Sequence, residues 1–146
     1  LEGVVIKELS AYHDGRGWLA EIFRDDETDY RAVMSYVSMT RPDVARGPHE
    51  HVEQSDFFCF FGSFRLYLWD NRKGSATYGK RITFEGKGSP FTAIVPPGVV
   101  HAYKNIGTAD GLVLNLPDRL YRGNGKTDPV DEIRYEDDPS SPFSID

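Results

Sequence analysis

The chain has 146 residues, with 17 basic and 23 acidic side chains and a formal net charge of −6. A chain of this length accommodates one hydrophobic core, so a single domain over residues 1–146 is expected. The acidic balance argues against non-specific nucleic-acid binding, which needs a basic face to neutralise phosphates.

Short runs in which apolar and polar residues alternate recur along the chain, and this period of two predicts strands. In order they are Gly3–Leu9, Trp18–Arg24, Val33–Thr40, Asp56–Phe61, Ser63–Asp70, Arg81–Phe84, Phe91–Val95, Val99–Ile106 and Leu112–Leu116. Turn signals separate them, among them His13-Asp14-Gly15, Arg41-Pro42-Asp43, Arg72-Lys73-Gly74-Ser75 and Gly107-Thr108-Ala109-Asp110-Gly111. Only Asp25–Val33 offers a turn or two of helix. From about residue 122 the chain becomes a polar tail with Pro129, Pro139, Pro142 and the acidic Tyr135-Glu136-Asp137-Asp138, which either wraps the domain or frays. Many short strands with regular turns predict an all-β sandwich or barrel.

The longest apolar run, Phe57–Phe61, is far short of a membrane span. No charged-then-apolar leader opens the chain. The one cysteine, Cys59, forbids an internal disulfide and suits a reducing compartment, so a soluble cytoplasmic protein without a membrane partner is expected. Flanked by phenylalanines, Cys59 itself reads as an inert buried thiol. Trp18 and Trp69 read as core or interface residues, Arg72 and Lys73 as a solvated hairpin tip, and His13 as an exposed turn residue.

Three of the four histidines fall in suggestive places. His49 and His51 are two apart on an extended segment and point to the same side. His101 follows a Pro-x-Gly turn in Pro97-Gly98-Val99-Val100-His101, with Asn105 four residues on. This second pattern resembles the second motif of the cupin superfamily, whose fold is a double-stranded β-helix, or jelly roll. His49-x-His51 followed by Asp56 and Gly62 is similar to the first cupin motif. The resemblance implies a metal alternative in which His49, His51, Asp56 and His101 ligate iron, manganese, nickel or zinc, a donor set chemically suited to those ions. The plainer reading is a polar pocket lined by histidines without metal.

Nearly the whole chain, about residues 3–142, is similar to one cupin branch, the dTDP-4-dehydrorhamnose 3,5-epimerase family. Asp14-Gly15-Arg16-Gly17 with Glu21 resembles its N-terminal stretch, and Arg46-Gly47-Pro48-His49 its Arg-Gly-Leu-His. Asp70-Asn71-Arg72-Lys73-Gly74-Ser75-Ala76-Thr77-Tyr78-Gly79 follows its Asp-x-Arg-x-x-Ser-x-Thr-x-Gly. Val95-Pro96-Pro97-Gly98-Val99-Val100-His101 resembles its Ile-Pro-x-Gly-Phe-Ala-His, and Tyr135-Glu136-Asp137-Asp138-Pro139 its C-terminal Trp-x-Asp-Pro.

The resemblance implies an isomerase or epimerase that removes a proton beside the ketone of a nucleotide-linked 4-keto-6-deoxy sugar, dTDP-linked in the family. It implies a homodimer and no cofactor. His49 takes the place of the catalytic base and Asp138 that of its carboxylate partner. Arg16, Arg46 and His101 match positions that hold the diphosphate and sugar, and Glu21 the contact to the nucleotide base. Two departures stand out. No lysine lies between His49 and Gly62, where the family has one to stabilise the enolate; Ser55 or Asp56 stands there. The proton-donating tyrosine aligns with Asn115, counted back from Tyr121, so both are placed on the substrate; a gap in the count makes Tyr103 or Tyr121 the donor. The family's glutamine before Arg-Gly-x-His appears as Met34. A single-site epimerase or keto-isomerase follows better than full 3,5-epimerisation. The competing readings are a metal-dependent cupin and a nucleotide-sugar binder without catalysis.

Overall fold

The computed structural model describes residues 1–146 and is built almost entirely of strands. They are β1 (Val5–Glu8), β2 (Tyr12–Asp14), β3 (Gly17–Leu19), β4 (Tyr36–Thr40), β5 (Ala45–Glu50), β6 (Asp56–Phe61), β7 (Phe64–Asp70), β8 (Arg81–Glu85), β9 (Phe91–Val95), β10 (Val99–Asn105), β11 (Gly111–Asn115) and β12 (Ile133–Arg134). One five-stranded sheet runs β1-β9-β6-β11-β4, the other β12-β5-β10-β7-β8, and β2 with β3 forms a separate hairpin. Every pairing is antiparallel. Two antiparallel sheets face to face are the jelly-roll sandwich expected from the sequence.

Alternation explains the core. Phe58 and Phe60 of β6, Leu66 and Leu68 of β7, Phe91 and Val95 of β9, and Val99 and Tyr103 of β10 point between the sheets and form the main buried cluster. Phe60 stacks on Phe91 with ring centroids 4.6 Å apart. Each such side chain taken from water contributes about 1.5–3 kcal/mol.

The outward residues of β7 and β10 are buried too, and the tail is the reason. Tyr67, Trp69, Val100 and Ala102 form a second cluster covered by Tyr135, Phe143 and Ile145. The Tyr67 hydroxyl donates to the Asp146 carbonyl at 3.0 Å, and Arg81 pairs with the Asp146 carboxylate at 2.6 Å. The tail therefore wraps the second sheet.

Several local expectations are corrected. Asp25–Val33 forms no helix; its Tyr30, with Phe23 just before the stretch, packs on Phe57 of the first sheet. Of the Trp18–Arg24 region only Trp18 and Leu19 enter a strand, within β3. Arg72 is no solvated tip: its guanidinium donates to both oxygens of Asp70 and to the Glu2 carbonyl, tying the N-terminus to the β7–β8 turn. Cys59 is fully buried, and burial pushes its thiol up to about 12, which fits an inert residue. Trp18 stacks on Phe61 but remains half exposed. No helix is long and apolar enough to cross a membrane.

Candidate active site

A cavity of about 1400 Å³ opens where β4, β5, β6 and β10 meet, roofed by the chain from Asp118 to Glu136. Backbone geometry at β5 decides what enters it. His49 stands opposite His101, yet Arg46 rather than Gly47 stands opposite Tyr103, so β5 carries one extra residue there. Such a bulge re-aims side chains. Residues three apart on a regular strand face opposite sides; here Arg46 and His49 both line the cavity. The bulge rests on Gly47, whose φ of +91° is left-handed and whose added Cβ would stand 2.7 Å from the His101 carbonyl oxygen.

His49 is held between two carboxylates. Its Nε2 lies 2.6 Å from Glu136 Oε1 and its Nδ1 3.3 Å from Glu132 Oε1. Glu136 is itself fixed, its Oε2 accepting from the Gly47 N–H at 3.0 Å and its Oε1 meeting Arg134. The carboxylates reach this place because β12 pairs with β5, setting Arg134 opposite His49 and Ile133 opposite Glu50.

Arg46 donates to Thr40 Oγ1 at 3.0 Å and to the Met39 carbonyl at 2.8 Å. Two of its five donors are thus committed, and the rest remain for an anionic ligand.

Deeper in the wall, His51 donates through Nδ1 to the Asp131 carbonyl and turns Nε2 toward Asp56 Oδ2 at 3.0 Å. His101 bonds through Nδ1 to the Val99 carbonyl at 3.2 Å, with Nε2 3.6 Å from the same oxygen. Asp56 Oδ1 accepts from Gln54 and Asn115, both at 2.8 Å; Oδ2 is buried with no well-directed hydrogen bond. Burial opposes charge on His51, but the Asp56 carboxylate outweighs it and pushes the imidazole up to about 9. Burial wins at His101 and holds it down at about 4. For Asp56 burial acts upward, yet the close contact with His51 Nε2 and the charge of the neighbouring histidines keep its carboxyl below the usual range.

The structure gathers some of the residues singled out in the sequence and separates others. His49, Arg46, His101 and Tyr121 line the cavity. Asn115 stands behind its wall, 1% exposed, with its amide spent on Asp56, Tyr36 and the Phe57 N–H. It offers a ligand nothing. Asp138 is not the partner of His49: it is exposed and accepts from the Ser140 N–H and hydroxyl. Arg16 sits at the β2–β3 hairpin tip with its side chain 92% exposed and paired with Asp14. Glu21 is exposed near Arg24. Neither Arg16 nor Glu21 touches the cavity of its own chain. Of the four residues in the metal alternative, His51, Asp56 and His101 converge, while His49 is held by the glutamates.

Glu132 and Glu136 were not singled out, nor was Tyr36, whose ring lines the cavity and whose hydroxyl accepts from Asn115 at 3.1 Å. The only sequence signal of the two glutamates is spacing: Glu132, Arg134 and Glu136 alternate as on a strand, inside the polar tail.

A family model described as dTDP-4-dehydrorhamnose 3,5-epimerase matches residues 1–127. The chain is 37% identical over 126 residues to a probable low-salt glycan biosynthesis epimerase of Haloferax volcanii, covering 83% of this chain and 81% of the relative. It is 33% identical over 111 residues to the spore coat polysaccharide biosynthesis protein SpsL of Bacillus subtilis, covering 73% of each. In fold it is similar to the crystal structure of a dTDP sugar isomerase from Desulfovibrio desulfuricans, with a TM-score of 0.81 at 24% identity over 98% of this chain and 90% of the other. The family match stops short of Glu132 and Glu136.

Proposed function

The chain belongs to the dTDP-4-dehydrorhamnose 3,5-epimerase family and is an epimerase-type enzyme of sugar biosynthesis; on that premise we propose that it acts on a nucleotide-linked 4-keto-6-deoxy sugar. The observation that carries this reading is His49, seated in the cavity beside Arg46 with its Nε2 on Glu136. A proton next to a ketone is acidified because the carbanion delocalises into an enolate, and an imidazole oriented by a carboxylate suits its removal. Glu136 stabilises the imidazolium that forms, and the proton goes to Nδ1, the nitrogen that faces Glu132 at 3.3 Å, so the bound sugar has to take the place of that carboxylate beside the ring. The free donors of Arg46 suit a diphosphate oxygen.

Returning a proton to the opposite face needs an acid on that side. Tyr36 is the candidate we assign to it: it lines the same cavity as His49, and its hydroxyl accepts from Asn115 and keeps its own hydrogen to give. Asn115 stands where the family's tyrosine was expected, so the phenol arrives from a different strand at the same part of the wall. One base and one acid support a single-site epimerase or keto-isomerase.

A dTDP-linked substrate, a homodimer and a cytoplasmic location belong to the same proposal. Support for the dimer comes from residues that are idle in one chain. Arg16 and Glu21 face away from their own cavity, and Val37, Met39 and Leu112 leave an apolar strip exposed on β4 and β11. A second copy covering that strip would give both features a use.

Proton NMR of a dTDP-4-keto-6-deoxy sugar in deuterated buffer tests the function. Solvent deuterium is expected at one carbon flanking the ketone with wild-type enzyme and not with His49→Asn. Absence of wash-in at both carbons in the wild type overturns the reading.

A further inference from the structure

We propose that His51, Asp56 and His101 form a binding site for one divalent transition-metal ion. The three come from separate parts of the chain: His51 just after β5, Asp56 opening β6 and His101 within β10. Their donor atoms all lie within 4.8 Å of one another. Asp56 Oδ2, on a residue 1% exposed, has no well-directed hydrogen bond although its other oxygen has two. That oxygen meets only the two imidazole Nε2 atoms, at 3.0 and 3.6 Å; a buried carboxylate oxygen with no well-directed hydrogen bond is incompletely compensated, and an ion that it ligates completes the compensation.

The surroundings prepare the donors. Both imidazoles are fixed at Nδ1 by backbone carbonyls, of Asp131 for His51 and of Val99 for His101, which leaves both Nε2 atoms aimed at Oδ2. Metal-binding histidines are held in this way, with the second nitrogen fixing tautomer and ring angle. Gln54 and Asn115 hold the carboxylate through Oδ1, so that Oδ2 faces the histidines.

The spacing also fits. Ligands about 2.1 Å from a common ion lie about 3.0 Å apart at right angles and about 3.4 Å apart at the tetrahedral angle. The distances from Asp56 Oδ2 to the two imidazoles are 3.0 and 3.6 Å. Two imidazoles and a carboxylate suit iron(II), manganese, nickel or zinc, and fit poorly the oxygen-rich shells of calcium or magnesium. All three residues line the cavity, so the open coordination positions face it and an oxygen ligand can complete the shell.

His49 is outside this set, which makes it a three-residue site distinct from the base. When bound, the ion supplies positive charge and Lewis acidity at the stretch of wall where the family resemblance places a lysine and this chain has Asp56. Ion binding itself requires no assumption about the sugar.

The test is chelator-stripped protein titrated with cobalt(II), followed by visible absorption and calorimetry, with zinc and manganese as further probes. The wild type is expected to bind one equivalent per chain, to develop the absorption bands of nitrogen- and oxygen-ligated cobalt, and to gain thermal stability as ion concentration rises above Kd. Asp56→Asn and His51→Gln are expected to weaken binding at least tenfold, and His49→Gln to retain it. Circular dichroism shows whether each variant is folded, and the cobalt spectrum of the unsubstituted protein decides the case without any variant. No cobalt spectrum in the wild type, or affinity equal in wild type and Asp56→Asn, overturns the proposal and leaves the triad as a buried ion pair alone. Deuterium wash-in that persists in metal-free protein leaves the epimerase reading standing, so the two fail separately.

Discussion

His49 and Glu136, 87 residues apart in sequence, meet at 2.6 Å between Nε2 and Oε1. The contact joins β5 to the short turn Tyr135–Asp137 of the tail, and the Gly47 N–H and Arg134 hold the glutamate in place. If the carboxylate orients the base, Glu136→Gln keeps the shape and removes the charge that stabilises the imidazolium. The expected result is a fall in kcat of about 10²–10⁴ with KM little changed. Asp138→Asn, which disturbs only the contact to Ser140, is expected to stay near the wild-type rate. Initial rates of deuterium wash-in for both variants check this; equal rates for Glu136→Gln and wild type would remove the dyad from the mechanism.

What the sequence reveals here depends on how local its cause is. The strands β6 and β9 coincide with the short apolar-rich runs Asp56–Phe61 and Phe91–Val95, because such a run bounded by turn residues is a property of a few neighbouring residues. His101 is likewise announced by the Pro-x-Gly turn that starts β10. In contrast, β5 has Pro48 and Gly47 in its middle and little apolar alternation; its register is imposed by β10. Glu132 and Glu136 look like solvated tail charges, and only the pairing of β12 with β5 turns them inward. Arg16 and Glu21 show the reverse: motif spacing marks them, but the β2–β3 hairpin carries Arg16 away from the cavity.

Tyr36 gives a prediction about proton return. Burial pushes its phenol up to about 12, so it stays protonated and able to donate throughout neutral and moderately alkaline pH. Its contribution is present below that value and is lost as pH rises through it. Tyr36→Phe is therefore expected to slow formation of the inverted product by about 10²–10³, within the range of general acid catalysis. Loss of the α-proton to His49 continues, so wash-in with retained configuration outlasts inversion. Chiral analysis of the deuterated sugar separates the two. Stability is expected to change little, since Asn115 keeps its bonds to Asp56 and the Phe57 N–H.

Asp70 predicts how the fold responds to acid. It is 2% exposed and accepts from Arg72, Ser75 and Thr77, and the Arg72 guanidinium above all holds its carboxyl well below the usual range. A group so depressed stabilises the native state above its unfolded value of about 3.9, and that contribution is lost as pH falls from there toward the folded value. Asp70→Asn is expected to lower stability by about 2–3 kcal/mol at pH 7, the scale of charged hydrogen bonds left unmade. The gap to wild type narrows below about pH 4. Urea melts across pH test this, and a gap independent of pH would contradict it.

Gly47 couples backbone geometry to the site, and its substitution separates the bulge from the chemistry it serves. At φ +91° an alanine is strained, and its Cβ would stand 2.7 Å from the His101 carbonyl and 3.1 Å from Ala102 Cα, both parts of a backbone with little room to yield. Left-handed strain in a non-glycine residue costs about 1–3 kcal/mol, so Gly47→Ala is expected to lower Tm measurably. The strand can relieve the clash only by moving away from β10. That movement shifts Arg46 and His49 together and pulls the Gly47 N–H off Glu136 Oε2, 3.0 Å away. Wash-in is therefore expected to fall further than the loss of folded protein explains, even at temperatures where the variant is fully native by circular dichroism. A variant with lowered Tm but native-state activity equal to wild type would show that the bulge serves packing alone.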